Sequence, residues 1–283
     1  MFPDMEEMLE KTIILDDIRI SFREGGRGQP VVLVHGWTGS SYDWNKLMPI
    51  LAARHRVIAY DQTGFGKSDK PLMPYRLETF TGLLGRLADA LGLGPFHLVG
   101  NSMGGHIAAA FALQHPERVR SLALLDAAGV SEGAPWVFNA GRFPRALAAL
   151  LRITPLPLYG YYYRRSGPYY DSSFLTARDV LGHYHSYGNR AGAYAAAQCM
   201  RHIIYEPAAQ LDQRLKEMRV PTLIVWGHKD PLLGKHMSSV FLREIPGARR
   251  VFIENCGHCP QEEKPGELRD ILEEFWKELP AKK

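Results

Sequence analysis

The stretch that decides the fold is Val99-Gly100-Asn101-Ser102-Met103-Gly104-Gly105. It follows the short apolar run Phe96 to Val99 and precedes the helix-forming run His106 to Gln114, so a serine stands where a strand turns sharply into a helix. Such a turn needs small residues at Gly100 and Gly104, because the serine takes a strained backbone and a side chain two positions away would collide with it. The hydroxyl is thereby lifted clear of the sheet. The amides that follow it open a new helix, whose positive end stabilises developing negative charge. Gly-x-Ser-x-Gly alone is a weak signal; a strand before it and a helix after it make Ser102 a candidate nucleophile whose partners must lie elsewhere.

Working outward, strands alternate with helices. Thr12 to Leu15 and Ile18 to Phe22 read as an antiparallel edge hairpin about Asp16-Asp17. Val31 to Val34 is an unbroken apolar run of the kind buried on both faces of a parallel sheet. The spacing then predicts a helix over Tyr42 to Ala53, a strand over Arg56 to Tyr60, and a helix over Leu77 to Leu91 that Gly92 terminates. Phe96 to Val99, the turn, and a helix from Met103 to His115 follow, then a strand over Val119 to Leu125. Alternation fails between about Val130 and Lys216, where aromatic residues crowd and Pro144, Pro155, Pro157 and Pro168 break short helical pieces. It resumes with strand Pro221 to Trp226, helix Lys235 to Arg243, strand Arg250 to Glu254 and helix Gly266 to Leu279. This pattern predicts an α/β core of a mostly parallel sheet flanked by helices, made of residues 1–129 and 217–283, with residues 130–216 inserted as a helical lid.

Composition narrows the function. Hydrophobic residues are 46% of the chain and charged residues 23%, which is ordinary for a folded globular protein. The charge of +4 comes from 34 basic against 30 acidic residues, without the basic stripe that nucleic acid requires, so nucleic-acid binding is excluded. Met1 to Thr12 is acidic and lacks the apolar core of a secretory signal, and no apolar run reaches the roughly 18 residues of a membrane span. Three cysteines do not make a dispersed disulfide set. The expected location is cytoplasmic, with no stable membrane insertion and a monomer or homodimer as the assembly.

A serine hydroxyl attacks well only when a base takes its proton and a carboxylate orients that base. In an open parallel sheet such groups gather beyond the carboxyl ends of the strands. The strand before Gly227 runs into Gly227-His228-Lys229-Asp230, and the last strand runs into Asn255-Cys256-Gly257-His258. These supply acid and base in the chain order serine, acid, histidine. Asp126, at the end of an earlier strand, is an alternative acid.

These motifs, together with His35-Gly36 after a strand and Asp61-x-x-Gly64-x-Gly66-x-Ser68, make the chain resemble the α/β-hydrolase fold superfamily across nearly all its length. The resemblance implies an eight-stranded, mostly parallel sheet. It also implies Ser102 as nucleophile, His258 as general base and then acid, Asp230 as orienting acid, and the amides of Trp37 and Met103 as the oxyanion hole. The reaction implied is attack on a carbonyl, an acyl-enzyme and its hydrolysis, with neither metal nor organic cofactor. The loop Trp37-Thr38-Gly39-Ser40-Ser41 is closer to esterases and monoacylglycerol lipases than to carbon-carbon hydrolases of meta-cleavage products, which share Gly-Asn-Ser-Met-Gly-Gly. A carboxylesterase acting on a small ester therefore ranks first and a carbon-carbon hydrolase second. A non-catalytic ligand-binding protein, as in hormone receptors of this fold, is the third reading.

The remaining features have plainer readings. His35 is expected to pack under the oxyanion loop, and Asp61 and Ser68 to fix their own loop. Cys256-Gly257-His258-Cys259 carries a redox spacing, but its place after the last strand favours two packed thiols. Most aromatics of residues 130–216 are expected to be packing. Tyr159, Tyr162 and Tyr163 are the candidates for lining an apolar substrate pocket over Ser102.

Overall fold

The computed structural model describes residues 8–132, 136–205, 211 and 213–279. Strands β1 (Leu9–Leu15) and β2 (Ile18–Gly25) pair antiparallel. The turn between them is two residues long, with φ of 50° at Asp16 and 61° at Asp17, the doubly left-handed turn whose twist suits a hairpin. Then come β3 (Pro30–Val34), β4 (Arg56–Tyr60), β5 (Phe96–Asn101), β6 (Val119–Leu125), β7 (Thr222–Gly227) and β8 (Arg249–Ile253). They form one sheet in the order β1-β2-β4-β3-β5-β6-β7-β8. β2 meets β4 antiparallel, and every later pairing is parallel.

Burial explains the apolar runs. Val31 to Val34 are covered by helices on both faces, as a central parallel strand must be. Helices α2 (Leu77–Ala90) and α3 (Met103–Gln114) close one face over Val32, Val34, Leu98 and Leu124. On the other face α1 (Met48–Ala52) and the C-terminal helix Pro265–Lys277 pack over Val31, Leu33, Val99 and Val225. Because β4 lies on one side of β3 and β5 on the other, the strand order reverses there. The loops leaving β3 and β5 flank that switch point, where an open sheet forms its crevice.

The expected helix over Tyr42 to Ala53 is two pieces, a 3₁₀ turn at Ser41–Trp44 and α1. Pro49 has no amide to continue the first piece and instead sits in the first turn of the second. Ser40 caps the turn by accepting from Tyr42 N at 3.2 Å. β5 also runs two residues further than its apolar stretch, to Asn101, so Ser102 leaves the strand directly.

Between β6 and β7 stand α4 (Pro144–Ile153), α5 (Leu156–Ser166), α6 (Ala177–Tyr187) and α7 (Arg190–Cys199) with shorter helical turns. Within this segment residues 133–135, 206–210 and 212, and the side chains of Trp136, Val137, Phe138, Ser166 and Tyr205, lie outside the description, as do residues 1–7. The segment is sewn to the core by polar contacts. Trp37 Nε1 donates to Ala196 O at 2.7 Å, Tyr42 OH to Asp179 at 2.9 Å, and Ser186 Oγ to Gly39 O. No helix of the described residues is long and apolar enough to cross a membrane.

Candidate active site

Ser102 sits between β5 and α3 with φ 56° and ψ −121°, a conformation costing a non-glycine residue about 1–3 kcal/mol. The surroundings impose it. Ser102 N donates to Leu125 O at 3.0 Å, and its carbonyl accepts from Gly105 N at 2.9 Å and Ala128 N at 3.0 Å. A Cβ at Gly100 would strike the Gly104 carbonyl, and one at Gly104 would strike the Val34 carbonyl. Both glycines are therefore needed for space.

The loop after β3 packs against this turn, since a Cβ at Gly36 would come within 3.2 Å of Ser102 Cβ. His35 beneath it is fully buried. Its Nδ1 lies 2.8 Å from the Gly36 carbonyl and its Nε2 accepts from Gln62 N at 3.0 Å. Burial lowers its pKa, so a neutral ring braces the loop. Among the described residues neither Trp37 N nor Met103 N makes a backbone hydrogen bond outside the regular elements.

Asp230 and His258 approach from the loops after β7 and β8. His258 Nδ1 and Asp230 Oδ2 are 2.8 Å apart, and both side chains are nearly inaccessible to solvent. The other Asp230 oxygen accepts from Leu232 N at 2.7 Å and Leu233 N at 3.0 Å, which fixes the carboxylate's orientation. Three anchors hold the histidine loop. Asn101 Nδ2 donates to the His258 carbonyl at 3.0 Å, Glu263 Oε1 accepts from Gly257 N at 2.8 Å, and Pro168 O accepts from His258 N at 2.7 Å. The structure thus brings Asp230 and His258 into contact and ties the residue before Ser102 to the same loop. It does not join the Ser102 hydroxyl to the imidazole by a hydrogen bond.

Asp126 does not touch the imidazole through a hydrogen bond; its Oδ1 accepts from Gly227 N at 2.8 Å. Carboxylate oxygens of Asp126 and Asp230 and a ring nitrogen of His258 fall within 4.8 Å of one another. Burial, and then the charge of Asp230, push the Asp126 pKa well up. Of the three, His258 Nδ1 and Asp230 Oδ2 are hydrogen-bonded to each other.

Sequence reasoning missed a second buried cluster. His183 of α6 has Nδ1 3.3 Å from Asp43 and Nε2 3.2 Å from Glu262. Tyr169 OH donates to Glu262 at 3.0 Å. Burial opposes a charge on His183, but Glu262 and Asp43 outweigh it and raise the pKa to about 10. The ring is a buried cation clasped between two core carboxylates. The one sequence signal was Glu262-Glu263 directly after the His258 loop.

The tyrosines expected over Ser102 divide. Tyr159 is buried within the helical segment, stacked on Tyr163 at 5.0 Å and packed against Tyr184 and Tyr187. Tyr163 contacts Tyr169 and His183, whereas Tyr162 is 54% exposed. The loop residues behave as expected: Asp61 accepts from Ser41 N and Lys67 N, both at 2.7 Å, and Ser68 Oγ donates to Asp61 O at 2.6 Å. Cys256 and Cys259 are buried free thiols, and burial pushes both pKa values up, which removes the thiolate a redox pair needs.

Residues 29–265 match the model of the alpha/beta hydrolase fold family, and the chain belongs to that family. It is 28% identical to Lipase 1 of Psychrobacter immobilis, over 94% of this chain and 83% of the relative. It is 30% identical to 2-hydroxy-6-oxononadienedioate/2-hydroxy-6-oxononatrienedioate hydrolase 2 of Pseudomonas putida, over 92% of each. The crystal structure of a bacterial membrane phospholipase A superposes with a TM-score of 0.79 at 29% identity, covering 97% of this chain and 87% of that one.

Proposed function

We propose that the protein is a serine hydrolase that cleaves carboxylic esters of small or medium apolar acyl groups through an acyl-enzyme. The observation carrying this reading is the 2.8 Å contact between His258 Nδ1 and Asp230. An imidazole that donates Nδ1–H to a carboxylate presents an unprotonated Nε2, the form a general base must take. In this reading Nε2 takes the Ser102 proton as Oγ attacks the ester carbonyl, and returns it to the departing alkoxide. Water then enters, gives its proton to the same nitrogen and attacks the acyl carbon, releasing the acid and regenerating Ser102. The Trp37 and Met103 amides donate to the oxygen that becomes negative in both steps, a contribution typically worth about 10²–10³ in rate per donor.

The helical segment 130–216 acts in this reading as a cap over Ser102. The lipase relative and the Trp37-Thr38-Gly39-Ser40-Ser41 loop support esters. The identity to the Pseudomonas putida hydrolase supports a second reading, carbon-carbon cleavage of a vinylogous diketone by the same residues.

The test is a comparison of purified wild type and Ser102→Ala on p-nitrophenyl esters of graded chain length and on a vinylogous 1,5-diketone. Ester turnover that vanishes in Ser102→Ala is expected, with the fold intact by circular dichroism. Turnover retained in the variant removes the nucleophile, and preference for the diketone promotes the second reading.

A further inference from the structure

Residues 133–170 contain Arg142, Arg145, Arg152, Arg164 and Arg165 and no aspartate, glutamate or lysine. Five positive charges in this stretch exceed the +4 of the whole chain. Apolar exposure is concentrated in the same place. Helix α4 has no fully buried residue; Leu147 and Leu151 rest against the core, while Leu150 and Ile153 point away from it at 59% and 72% exposed. Ala146, Leu150 and Ile153 recur three to four residues apart, so they share one face, and Arg145 and Arg152, seven apart, lie along its flank. Phe143 before α4 is 67% exposed, and Leu158, Tyr161 and Tyr162 of α5 are exposed as well. A cleft of about 340 Å³ opens beside Leu156, Tyr161 and Arg164.

Scattered apolar residues on a surface are ordinary, but a contiguous set rimmed by charge of one sign marks an interaction site. We propose that the outer face of α4 docks on an anionic lipid bilayer, with Leu150 and Ile153 entering the interface and Arg145 and Arg152 meeting lipid phosphates. Leucine and isoleucine on one side with arginine alongside is the composition of a helix lying in the plane of a membrane surface. Two copies of the chain joined face to face would set Arg145 and Arg152 against their own counterparts, so charge disfavours a dimer through this patch. Lipid phosphate complements both features at once, drawing the basic flank to the surface and leaving the apolar row to the acyl boundary. The attachment is peripheral and independent of what Ser102 does.

The experiment is co-sedimentation of the full chain with extruded vesicles of phosphatidylcholine alone or mixed with phosphatidylglycerol, at low and high salt. Wild type is expected to pellet with the mixed vesicles and to lose most of that binding in high salt. Leu150→Glu/Ile153→Glu and Arg145→Glu/Arg152→Glu are each expected to weaken it roughly tenfold or more, while melting temperature and turnover of a soluble short ester stay at wild-type values. Ser102→Ala, inactive if the ester reading holds, is expected to bind vesicles like wild type, so failure of docking and failure of the catalytic reading appear in different assays. No binding to mixed vesicles, or binding that neither double variant weakens, overturns the proposal. A solution dimer that Leu150→Glu/Ile153→Glu dissolves, without vesicle binding, overturns it in favour of self-association.

Discussion

Asn101 donates its side-chain amide to the backbone carbonyl of His258 at 3.0 Å and to that of Leu125 at 3.1 Å. One buried side chain thus couples the turn carrying Ser102 to the loop carrying His258, across 157 residues of sequence. Gln261 completes the clamp by donating to Asn101 Oδ1 at 3.3 Å. The placement of Ser102 relative to His258 therefore depends on a third side chain, that of Asn101.

Asn101→Ala removes both donors and leaves two buried carbonyls unsatisfied, at a cost of about 1–3 kcal/mol each. A fall in melting temperature is expected, together with a loss of kcat at least tenfold and little change in KM, because the clamp positions the base rather than the substrate. Steady-state kinetics on a short ester check it; wild-type kcat in the folded variant would refute the positioning role.

The two carboxyl groups near His258 are expected to separate in mutagenesis. Asp230→Asn keeps the shape but cannot hold Nδ1–H as the donor, and a loss of about 10⁴ in kcat is expected from the wrong tautomer. Asp126→Asn keeps the size of a side chain that hydrogen-bonds Gly227 N and not the imidazole, so kcat is expected to fall less than tenfold. Equal losses in both variants contradict the assignment of Asp230 as the orienting acid.

His183 links the helical segment to the core through Asp43 and Glu262. Its folded pKa, about 10, stands above the ordinary histidine value of 6.5. A raised pKa means the folded state holds the proton more tightly, so this contribution is fully present below about pH 6.5 and is lost as pH rises towards about 10. Melting temperatures of wild type and His183→Gln are expected to differ most at pH 6 and to converge by pH 10. A gap that widens with pH indicates a neutral ring.

Much of this site was legible in the residue pattern, for identifiable reasons. The turn at Ser102 was readable because the steric demand on Gly100 and Gly104 leaves few alternatives, and Asp230 and His258 because strands of a parallel sheet deliver their loops to one end. The division of the helix expected over Tyr42 to Ala53 was written in Pro49 and outweighed by apolar spacing. The His183 cluster was not legible, since Asp43, His183 and Glu262 are far apart in sequence and meet only when the helical segment docks. Asn101 was visible as part of the turn, but its clamp on His258 depends on where β8 ends.

Ser102 itself is held at φ 56° and ψ −121° by its own backbone hydrogen bonds and by the close approach of Gly104 to Val34. A glycine there meets no penalty from a Cβ, whereas alanine keeps the whole penalty. Glycine ordinarily costs about 0.5–1 kcal/mol more than alanine through its freer unfolded chain, while the strain relieved here is about 1–3 kcal/mol. The second effect is the larger, so Ser102→Gly is expected to melt at or above Ser102→Ala, the reverse of the usual order, with both variants inactive on esters. Differential scanning calorimetry of the two proteins decides it: a Ser102→Gly melting temperature several degrees below that of Ser102→Ala means the turn is unstrained, and the hydroxyl is not being held against a conformational preference.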